Sequence, residues 1–160
     1  MTSKIVIREA RPEDMPTIAQ MAGALMTEIM DAIGTRAFHF DLDETRERLT
    51  ALVAQGKYQV FVAHRAEGGG AIGFVALCET WSLYAEGAFG IIPEFYVHPQ
   101  HRGLGAGSRL ADAARAYGSA RGWTRLEVTT PPLPPFEATL RFYERMGFAI
   151  TGGRKLKLGL

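Results

Sequence analysis

The residues of greatest chemical interest form a glycine-rich stretch behind a predicted strand. Residues 96–107 read Tyr-Val-His-Pro-Gln-His-Arg-Gly-Leu-Gly-Ala-Gly, which places a strand, a tight turn and the start of a helix in succession. Glycines let a ligand approach the backbone, and the first N–H groups of a helix have no partner within the helix. Such a helix start binds phosphate groups. A flexible loop before an ordinary helix is the alternative interpretation.

Two common phosphate-binding motifs do not fit this stretch. A P-loop ends in Gly-Lys-Ser/Thr, whereas Gly107 is followed by Ser108 and Arg109. A dinucleotide fingerprint needs Gly-x-Gly-x-x-Gly near the first strand of a βαβ unit and an acidic residue about 20 positions further on. Here the glycines stand at positions 103, 105 and 107, late in the chain. The sequence therefore excludes both motifs.

The stretch resembles the acetyl-CoA loop of the GNAT superfamily of acyl-CoA-dependent N-acyltransferases. Arg102-x-x-Gly105-x-Gly107 matches the family pattern Gln/Arg-x-x-Gly-x-Gly/Ala. Ile-Pro-Glu-Phe-Tyr-Val-His-Pro at 92–99 comes directly before it, and Phe-Tyr-Glu-Arg-Met-Gly-Phe at 142–148 follows later. The order of predicted elements agrees with the family along nearly the whole chain.

The resemblance implies where acetyl-CoA, as co-substrate, would bind. In the family the backbone of the loop holds the CoA pyrophosphate, and the strand before the loop pairs with the pantetheine arm. The implied cofactor-binding residues are Phe95, Tyr96, Val97, Arg102, Gly103, Leu104, Gly105, Ala106, Gly107, Ser108 and Phe142.

Tyr143 matches the family tyrosine that often protonates the departing CoA thiolate. A phenol of pKa about 10 can donate that proton, and a thiol pKa near 8.5 keeps the transfer accessible. The alternative is a tyrosine that packs between Phe142 and Phe148. Many family members carry Asn seven residues before this tyrosine, where the present chain has Phe136. That difference leaves open how the last helix begins and whether an amide contacts pantetheine.

Glu94 lies just before the implied cofactor strand, where family members often have a carboxylate that takes the proton of the amine. A solvated strand carboxylate is the alternative. Cys78 lies outside these motifs, so we expect direct attack in a ternary complex without a covalent intermediate.

The acceptor side is less specific. Phe38, Trp81 and Tyr84 could line an acceptor pocket, although packing or plain exposure explains each of them equally well. The acceptor is expected to be an amine of a small molecule or a peptide. The four histidines show no ligand spacing with Cys78 or carboxylates, so no metal site is expected.

Hydrophobic periodicity predicts the elements that must position these residues. The predicted strands are residues 4–9, 57–65, 71–80, 89–97, 126–130, 148–150 and 155–160. The predicted helices are residues 15–33, a segment capped by Asp43 that stops at Gly56, residues 103–121 and residues 136–146. Pro93 cannot donate a ladder hydrogen bond, so its strand must lie at an edge or be bulged there.

Together with the resemblance, this order predicts an α/β (α+β) fold of GNAT type. We expect a mixed, mostly antiparallel twisted sheet whose fourth and fifth strands run parallel and splay apart, with helices on both faces and the ligand in the splay. At roughly 150 residues per domain, residues 1–160 form one acyl-CoA N-acyltransferase domain.

Charge and composition limit the partners. The chain has 18 Lys and Arg against 17 Asp and Glu, a net charge of +1, so no bulk electrostatic attraction to nucleic acid or an anionic membrane is expected. The single cysteine excludes an internal disulfide and fits a reducing compartment. No apolar run is long enough to span a membrane, so a cytoplasmic location is expected.

The expected function is transfer of an acetyl group from acetyl-CoA to a primary amine. The alternative is a non-catalytic acyl-CoA-binding or sensing module, which would need the loop but neither Tyr143 nor Glu94. The sequence leaves the acceptor, the length of the acyl group and the oligomeric state, including a homodimer, open.

Overall fold

Six strands form one sheet in the first part of the chain. A computed structural model describes residues 4–160, which divide into a unit ending at Thr129 and a unit spanning Thr130–Leu160. The strands, all in the first unit, are β1 (Ile5–Glu9), β2 (Gln59–Arg65), β3 (Gly73–Ser82), β4 (Gly87–Ile92), β5 (Phe95–Val97) and β6 (Leu126–Val128). That residues 1–160 act as one domain remains a prediction.

The sheet is mixed and mostly antiparallel. Its order is β1-β2-β3-β4-β6, and β5 lies beside β3. The β4–β6 pair is parallel, with Gly90 opposite Leu126 and Ile92 opposite Val128, whereas the other pairs are antiparallel. The expected sheet type is therefore confirmed.

Helices of the first unit cover both faces of this sheet. The first unit contains α1 (Met15–Ile33), α2 (Leu42–Ala54) and α3 (Ala106–Ala120), and the second contains α4 (Glu137–Arg145). Val60 and Val62 of β2 join a buried cluster with α1 and α2, whereas Phe61 between them packs its ring 5.9 Å from that of Tyr117 on α3. Because successive strand residues point to opposite faces, α3 lies across the sheet from α1 and α2.

The buried cluster fixes the α1–α2 face. Its members come from two helices and three strands: Met15, Ile18, Met21, Ala22, Leu49, Val60, Val62, Phe74, Ala76 and Tyr96. On the opposite face α3 presents small residues, with Ala106 and Ala114 almost fully buried beside Leu110. Small side chains let this helix approach the sheet closely.

Most helix boundaries follow from local signals. The prediction for α1 is confirmed over residues 15–33, and Gly34 ends the helix in the left-handed region at φ +69°. The cap of α2 is Asp41, not Asp43 as predicted, because Asp41 has extended backbone and its carboxylate accepts from the N–H of Glu44 at 2.9 Å. Asp43 lies in the first turn instead, where its negative charge suits the helix dipole.

The predicted strands at 148–150 and 155–160 are wrong. Residues 146–160 form no strand, and Ile150, Leu156 and Leu158 are exposed. Alternating apolar residues make a strand only when a neighbouring strand supplies hydrogen bonds. No strand pairing of the described residues includes this segment.

Several other predicted boundaries are a few residues too long. The second strand begins at Gln59 instead of Lys57, the strand predicted to 130 ends at Val128, and α4 is shorter than 136–146 by one residue at each end. The predicted helix start at Gly103 is also wrong, since Gly103 and Gly105 adopt positive φ and α3 begins at Ala106.

Candidate active site

The strand predicted over 89–97 is divided in two at Pro93 and Glu94. β4, before the break, pairs with the second half of β3 and with β6. β5, after the break, pairs with the first half of β3, and no pairing of the described residues joins it to β6. The register against β3 shifts by one residue between β4 and β5, so the bulge considered at Pro93 is confirmed, and the parallel strands separate beyond Ile92 as expected.

The main chain of β5 presents one edge to β3 and the other to the gap left by this separation. The N–H of Ala76 donates to Glu94 O at 2.9 Å, and the N–H of His98 donates to Ile72 O at 2.8 Å. Since main-chain groups alternate in direction along an antiparallel strand, those of Phe95 and Val97 point toward the gap. A β-like partner, such as an amide-containing arm, could pair with that edge.

The turn before α3 leaves a helix N-terminus without a side-chain cap. Gly105 is the N-cap residue at φ +93°, Gly103 has φ +78°, and no side chain accepts from the first turn. The first N–H that bonds within the helix region is that of Arg109, which donates to Gly105 O at 3.1 Å. The N–H groups of residues 106–108 therefore lack an acceptor within the helix, and the helix dipole favours negative charge there.

The Arg102 side chain is engaged with the protein itself. Its Nε donates to Val97 O at 2.8 Å, and its guanidinium donates to the Glu28 carboxylate of α1 at 2.7 and 3.2 Å. The same guanidinium lies 5.6 Å from the centre of the Tyr96 ring. Arg102 thus ties α1 to the end of β5 and orients the turn, while Gly103, Leu104 and Gly105 are exposed.

Glu94 lies at the break in the strand and accepts a forked hydrogen bond. The Tyr58 hydroxyl donates to Glu94 Oε2 at 3.0 Å and to Oε1 at 3.3 Å. Tyr58 packs against the cluster of the α1–α2 face, and both residues are partly buried. Glu94 is therefore a partly buried carboxylate with a hydrogen bond from Tyr58, and not the solvated carboxylate considered from the sequence.

Burial changes the acid–base behaviour of this group. Partial burial raises the pKa of Glu94 above its ordinary value, and the hydrogen bond from Tyr58 opposes that rise. Burial also raises the pKa of Tyr58, with a further contribution from the charge of Glu94. A carboxylate with a raised pKa is a better proton acceptor near neutral pH than an exposed one.

Cys78 belongs to the same group of side chains, although the sequence places it outside the motifs. Its thiol interacts with Tyr58 and experiences the charge of Glu94. Burial, followed by that charge, raises the pKa of Cys78 to about 11. We call Tyr58, Cys78 and Glu94 the carboxylate cluster.

A helix-ending motif brings Tyr58 to this position. After α2 the N–H of Gly56 donates to Val53 O at 3.1 Å and that of Lys57 to Leu52 O at 2.9 Å, the pairing of a Schellman motif. Gly56 has φ +71°, which a glycine adopts without strain. The turn directs the chain into β2, so Tyr58 enters the sheet facing the α1–α2 side.

Tyr143 and Phe142 lie on α4 in the second unit. Tyr143 is buried, its ring centre 5.4 Å from those of both Phe142 and Phe148. Burial raises the pKa of the Tyr143 hydroxyl, so it stays protonated at neutral pH. The ring therefore packs as the alternative interpretation expects, and the role of the hydroxyl as proton donor stays a prediction. Phe136, in place of the family Asn, is the N-cap residue of α4 and provides no side-chain cap.

The three residues suggested for an acceptor pocket are not gathered beside Glu94. Phe38 lies in the connection between α1 and α2 and is exposed. Trp81 is 69% exposed and shares a sheet face with Glu79, whose carboxylate pairs with Arg121 just beyond α3. Tyr84 is exposed in the β3–β4 turn, 5.4 Å below the guanidinium of Arg125. All three side chains are exposed, and their role in lining an acceptor pocket stays a prediction.

Sequence reasoning missed Tyr58 and the placement of Cys78. Tyr58 stands 36 residues before Glu94, and only the pairing of β2, β3 and β5 brings them together. Strand parity could have placed Cys78, because Phe74 and Ala76 put even-numbered residues of β3 on the α1–α2 face. No spacing signal identifies Tyr58.

Two further observations concern the described residues as a set. No group of three or more histidine, cysteine or acidic side chains among them could hold a metal ion. None of the helices formed by residues 4–160 combines the length and apolar character needed to cross a membrane.

Comparison with solved structures establishes the fold independently. A GCN5-related N-acetyltransferase from Ralstonia eutropha JMP134 is 24% identical, with a TM-score of 0.77 over 97% of this chain and 99% of that chain. A Trypanosoma brucei acetyltransferase is 21% identical, with a TM-score of 0.72 over 98% and 100%. An aminoglycoside acetyltransferase from an uncultured soil metagenomic sample, in complex with sisomicin, is 18% identical, with a TM-score of 0.75 over 98% and 96%.

The family assignment comes from the sequence match. No curated protein matches the chain significantly. The family model of the GNAT acetyltransferase domain matches residues 56–150, more than half of the chain. That range contains the loop at 102–108, the carboxylate cluster and the motif at 142–148. The chain therefore belongs to the GNAT acetyltransferase family.

Proposed function

We propose that this protein transfers an acetyl group from acetyl-CoA to a primary amine, by direct attack of the amine in a ternary complex. One observation carries the proposal. In a single unit, a partly buried carboxylate stands at the break of a strand whose edge away from β3 leads to an uncapped helix N-terminus. A proton acceptor, a pairing edge and an anion site thus follow one another over residues 94–108.

The helix N-terminus and its turn would hold the pyrophosphate of acetyl-CoA. The N–H groups of residues 106–108 are directed out of the helix, and Gly103 and Gly105 add no side chain that could block an approaching phosphate. The edge of β5 away from β3 would pair with the amides of the pantetheine arm, and the Val97 carbonyl would share its acceptor capacity with Arg102. A main-chain N–H near Val97 would then polarise the thioester carbonyl.

The reaction requires two proton transfers. The neutral amine nitrogen attacks the thioester carbon, the C–N bond forms and the C–S bond breaks. The carboxylate of Glu94 accepts the proton that the amine loses, directly or through water, and the hydroxyl of Tyr143 donates a proton to the departing thiolate. Products are the N-acetylated amine and CoA. Support for Tyr143 is its motif, which the family match includes, and its protonated hydroxyl.

The cysteine is a poor candidate for a covalent intermediate. With a pKa of about 11, Cys78 is thiolate in only about one molecule in 10⁴ at pH 7. The thiolate is the nucleophilic form of cysteine, so transfer through an acetylated Cys78 is disfavoured even though the thiol lies beside Glu94. Direct attack on the thioester needs no such intermediate.

The acceptor is a small-molecule or peptide amine. The aminoglycoside acetyltransferase with the same fold was solved with sisomicin, which makes amino sugars one class to test. Polyamines, amino acids and peptide amines form the other classes. The chain's net charge of +1 gives no overall preference for a cationic or an anionic acceptor.

A release assay for CoA thiol tests the proposal. The full chain is incubated with acetyl-CoA and each class of amine, and mass spectrometry identifies the acetylated product. We expect amine-dependent CoA release together with an N-acetyl product. Tight binding of acetyl-CoA without turnover on any amine would contradict it and identify an acyl-CoA-binding module instead. Release of CoA without an amine would indicate hydrolysis.

A further inference from the structure

The hydroxyl of Tyr58 is the group most directly aimed at the proposed base. It reaches both carboxylate oxygens of Glu94, at 3.0 and 3.3 Å, from the turn that precedes β2. We propose that Tyr58 is a positioning residue that holds the Glu94 carboxylate in one orientation and in its charged form at the amine. This inference deepens the proposed function and rests on it.

The geometry restricts Glu94 in a way that its own strand cannot. Glu94 follows Pro93 at the break between β4 and β5, where only its carbonyl, accepting from Ala76, is tied to β3. A glutamate side chain has three rotatable bonds and would otherwise sample several rotamers. The forked hydrogen bond selects one of them. The ring of Tyr58 is itself fixed by packing against the cluster of the α1–α2 face.

The hydrogen bond also favours the charged form of the acid. The hydroxyl donates to a carboxylate more strongly than to a neutral carboxyl group, so it opposes the effect of burial. The titratable groups of the described residues that interact with Glu94 are Tyr58 before β2 and Cys78 on β3. Neither is cationic at neutral pH. The Tyr58 hydroxyl is thus the main contact that keeps Glu94 ionised.

The direct test compares Tyr58→Phe with the parent and with Tyr117→Phe. The substitution at 58 keeps the ring and removes the hydroxyl alone. Tyr117 is a matched control, because its ring packs against Phe61 and Trp123 on the opposite face of the sheet. The titration of Glu94 is followed by NMR of the side-chain carboxyl carbon in protein labelled with ¹³C-glutamate, and Glu94→Gln assigns the signal.

We expect the titration midpoint of Glu94 to rise by about one pH unit in Tyr58→Phe and to stay unchanged in Tyr117→Phe. The acid limb of the pH profile of kcat/KM for acetyl transfer should move upward by the same amount. At pH values well above that limb, where Glu94 is charged in both enzymes, Tyr58→Phe should keep only the smaller deficit caused by the lost orientation of the carboxylate. A variant that is merely less stable would lose activity at every pH without moving the acid limb.

Each outcome decides a separate point. An unchanged or lowered midpoint for Glu94 in Tyr58→Phe overturns the inference, whatever the activity. A raised midpoint with an unmoved acid limb overturns the role of the pair in the reaction. If the parent transfers no acetyl group to any amine, the proposed function fails, and the NMR titration still decides whether Tyr58 holds Glu94 charged.

Cys78 provides a second measurement that does not require activity. It is the only cysteine of the chain, so its rate of alkylation by iodoacetamide at pH 8.5 reports one thiol. The charge of Glu94 raises its pKa and Tyr58 lowers it. Glu94→Gln should therefore accelerate alkylation, and Tyr58→Phe should slow it. Changes of the same sign in both variants would contradict the arrangement of the carboxylate cluster.

Discussion

Gly105, the residue before α3, allows the acetyl-CoA loop to be tested by charge and by size separately. Its Cβ position meets no atom within 4 Å, while its φ of +93° strains any other residue. We compare Gly105→Gln with Gly105→Glu, which are nearly equal in size. Both carry a left-handed strain of roughly 1–2 kcal/mol, so that cost cancels between them. What differs is one negative charge beside the proposed pyrophosphate site.

The size of the difference follows from Coulomb's law. At about 6 Å, a pair of unit charges interacts by about 2.8 kcal/mol at an effective dielectric constant of 20 and by about 0.7 kcal/mol in bulk water. Gly105 is exposed, so the true value lies between these limits. Gly105→Glu should therefore bind acetyl-CoA between about threefold and about 100-fold more weakly than Gly105→Gln. The gap should shrink as ionic strength rises.

Isothermal titration calorimetry at two salt concentrations measures both affinities. Gly122 is the matched control position, since it has φ +75°, meets no atom within 4 Å and lies beyond the other end of α3. Glutamine and glutamate at 122 should destabilise the fold similarly and bind acetyl-CoA alike. Unchanged affinity in both variants at 105 would refute the loop assignment. Equal weakening by both would show that size alone matters and that no anion is bound there.

Three further predictions concern the acid, the base and the fold. Tyr143→Phe should lower kcat by about 10²-fold or more in steady-state assays while acetyl-CoA affinity stays within a few-fold, and an unchanged kcat would leave Tyr143 with packing alone. The kcat/KM of the parent should fall as the pH drops through the raised pKa of Glu94. Glu94→Gln should be slow at neutral pH and should recover partly at high pH, where the amine deprotonates unaided. A pH profile of the variant that runs parallel to that of the parent would contradict the role of Glu94 as base. The Asp14 carboxylate pairs with the Arg8 guanidinium at 2.6 Å, which lowers the pKa of Asp14, so the pair contributes stability that is lost as the pH falls through that lowered pKa. Asp14→Asn should therefore cost about 1 kcal/mol in urea unfolding at pH 7 and progressively less as the pH falls below the ordinary aspartate pKa; a loss that does not change with pH would count against the ion pair.

Local signals predicted the elements that carry the site. The helical repeat from Met15 and the glycine at 34 give both ends of α1, and Pro93 predicts the bulge beside Glu94. These features depend on hydrogen bonds and backbone angles within a few residues, so the sequence contains them directly. The glycines at 103 and 105 likewise predict the turn before α3, although the helix begins at Ala106 and not at Gly103 as predicted.

Features that depend on distant pairing could not be predicted in the same way. The contact between Tyr58 and Glu94 requires the register in which Gln59 lies opposite Leu77 and Val75 opposite Phe95. At the other end of the chain, Leu156 and Leu158 have the alternation of a strand and remain exposed. A pattern states which residues could share a face, and only a partner strand decides whether that face exists.

The division of one strand into β4 and β5 has a consequence for how the chain tolerates changes of length. β3 is continuous over Gly73–Ser82 and pairs with β5 at one end and with β4 at the other. Its register therefore determines which face of the sheet the side chains of β4 and β5 point to. A residue inserted into the middle of β3 would invert the side chains of one half relative to the other. At the junction of Pro93 and Glu94 the spacing is already irregular, so an insertion there would be absorbed locally. Libraries that vary the reach of the proposed base should place their length changes at this junction and leave β3 intact.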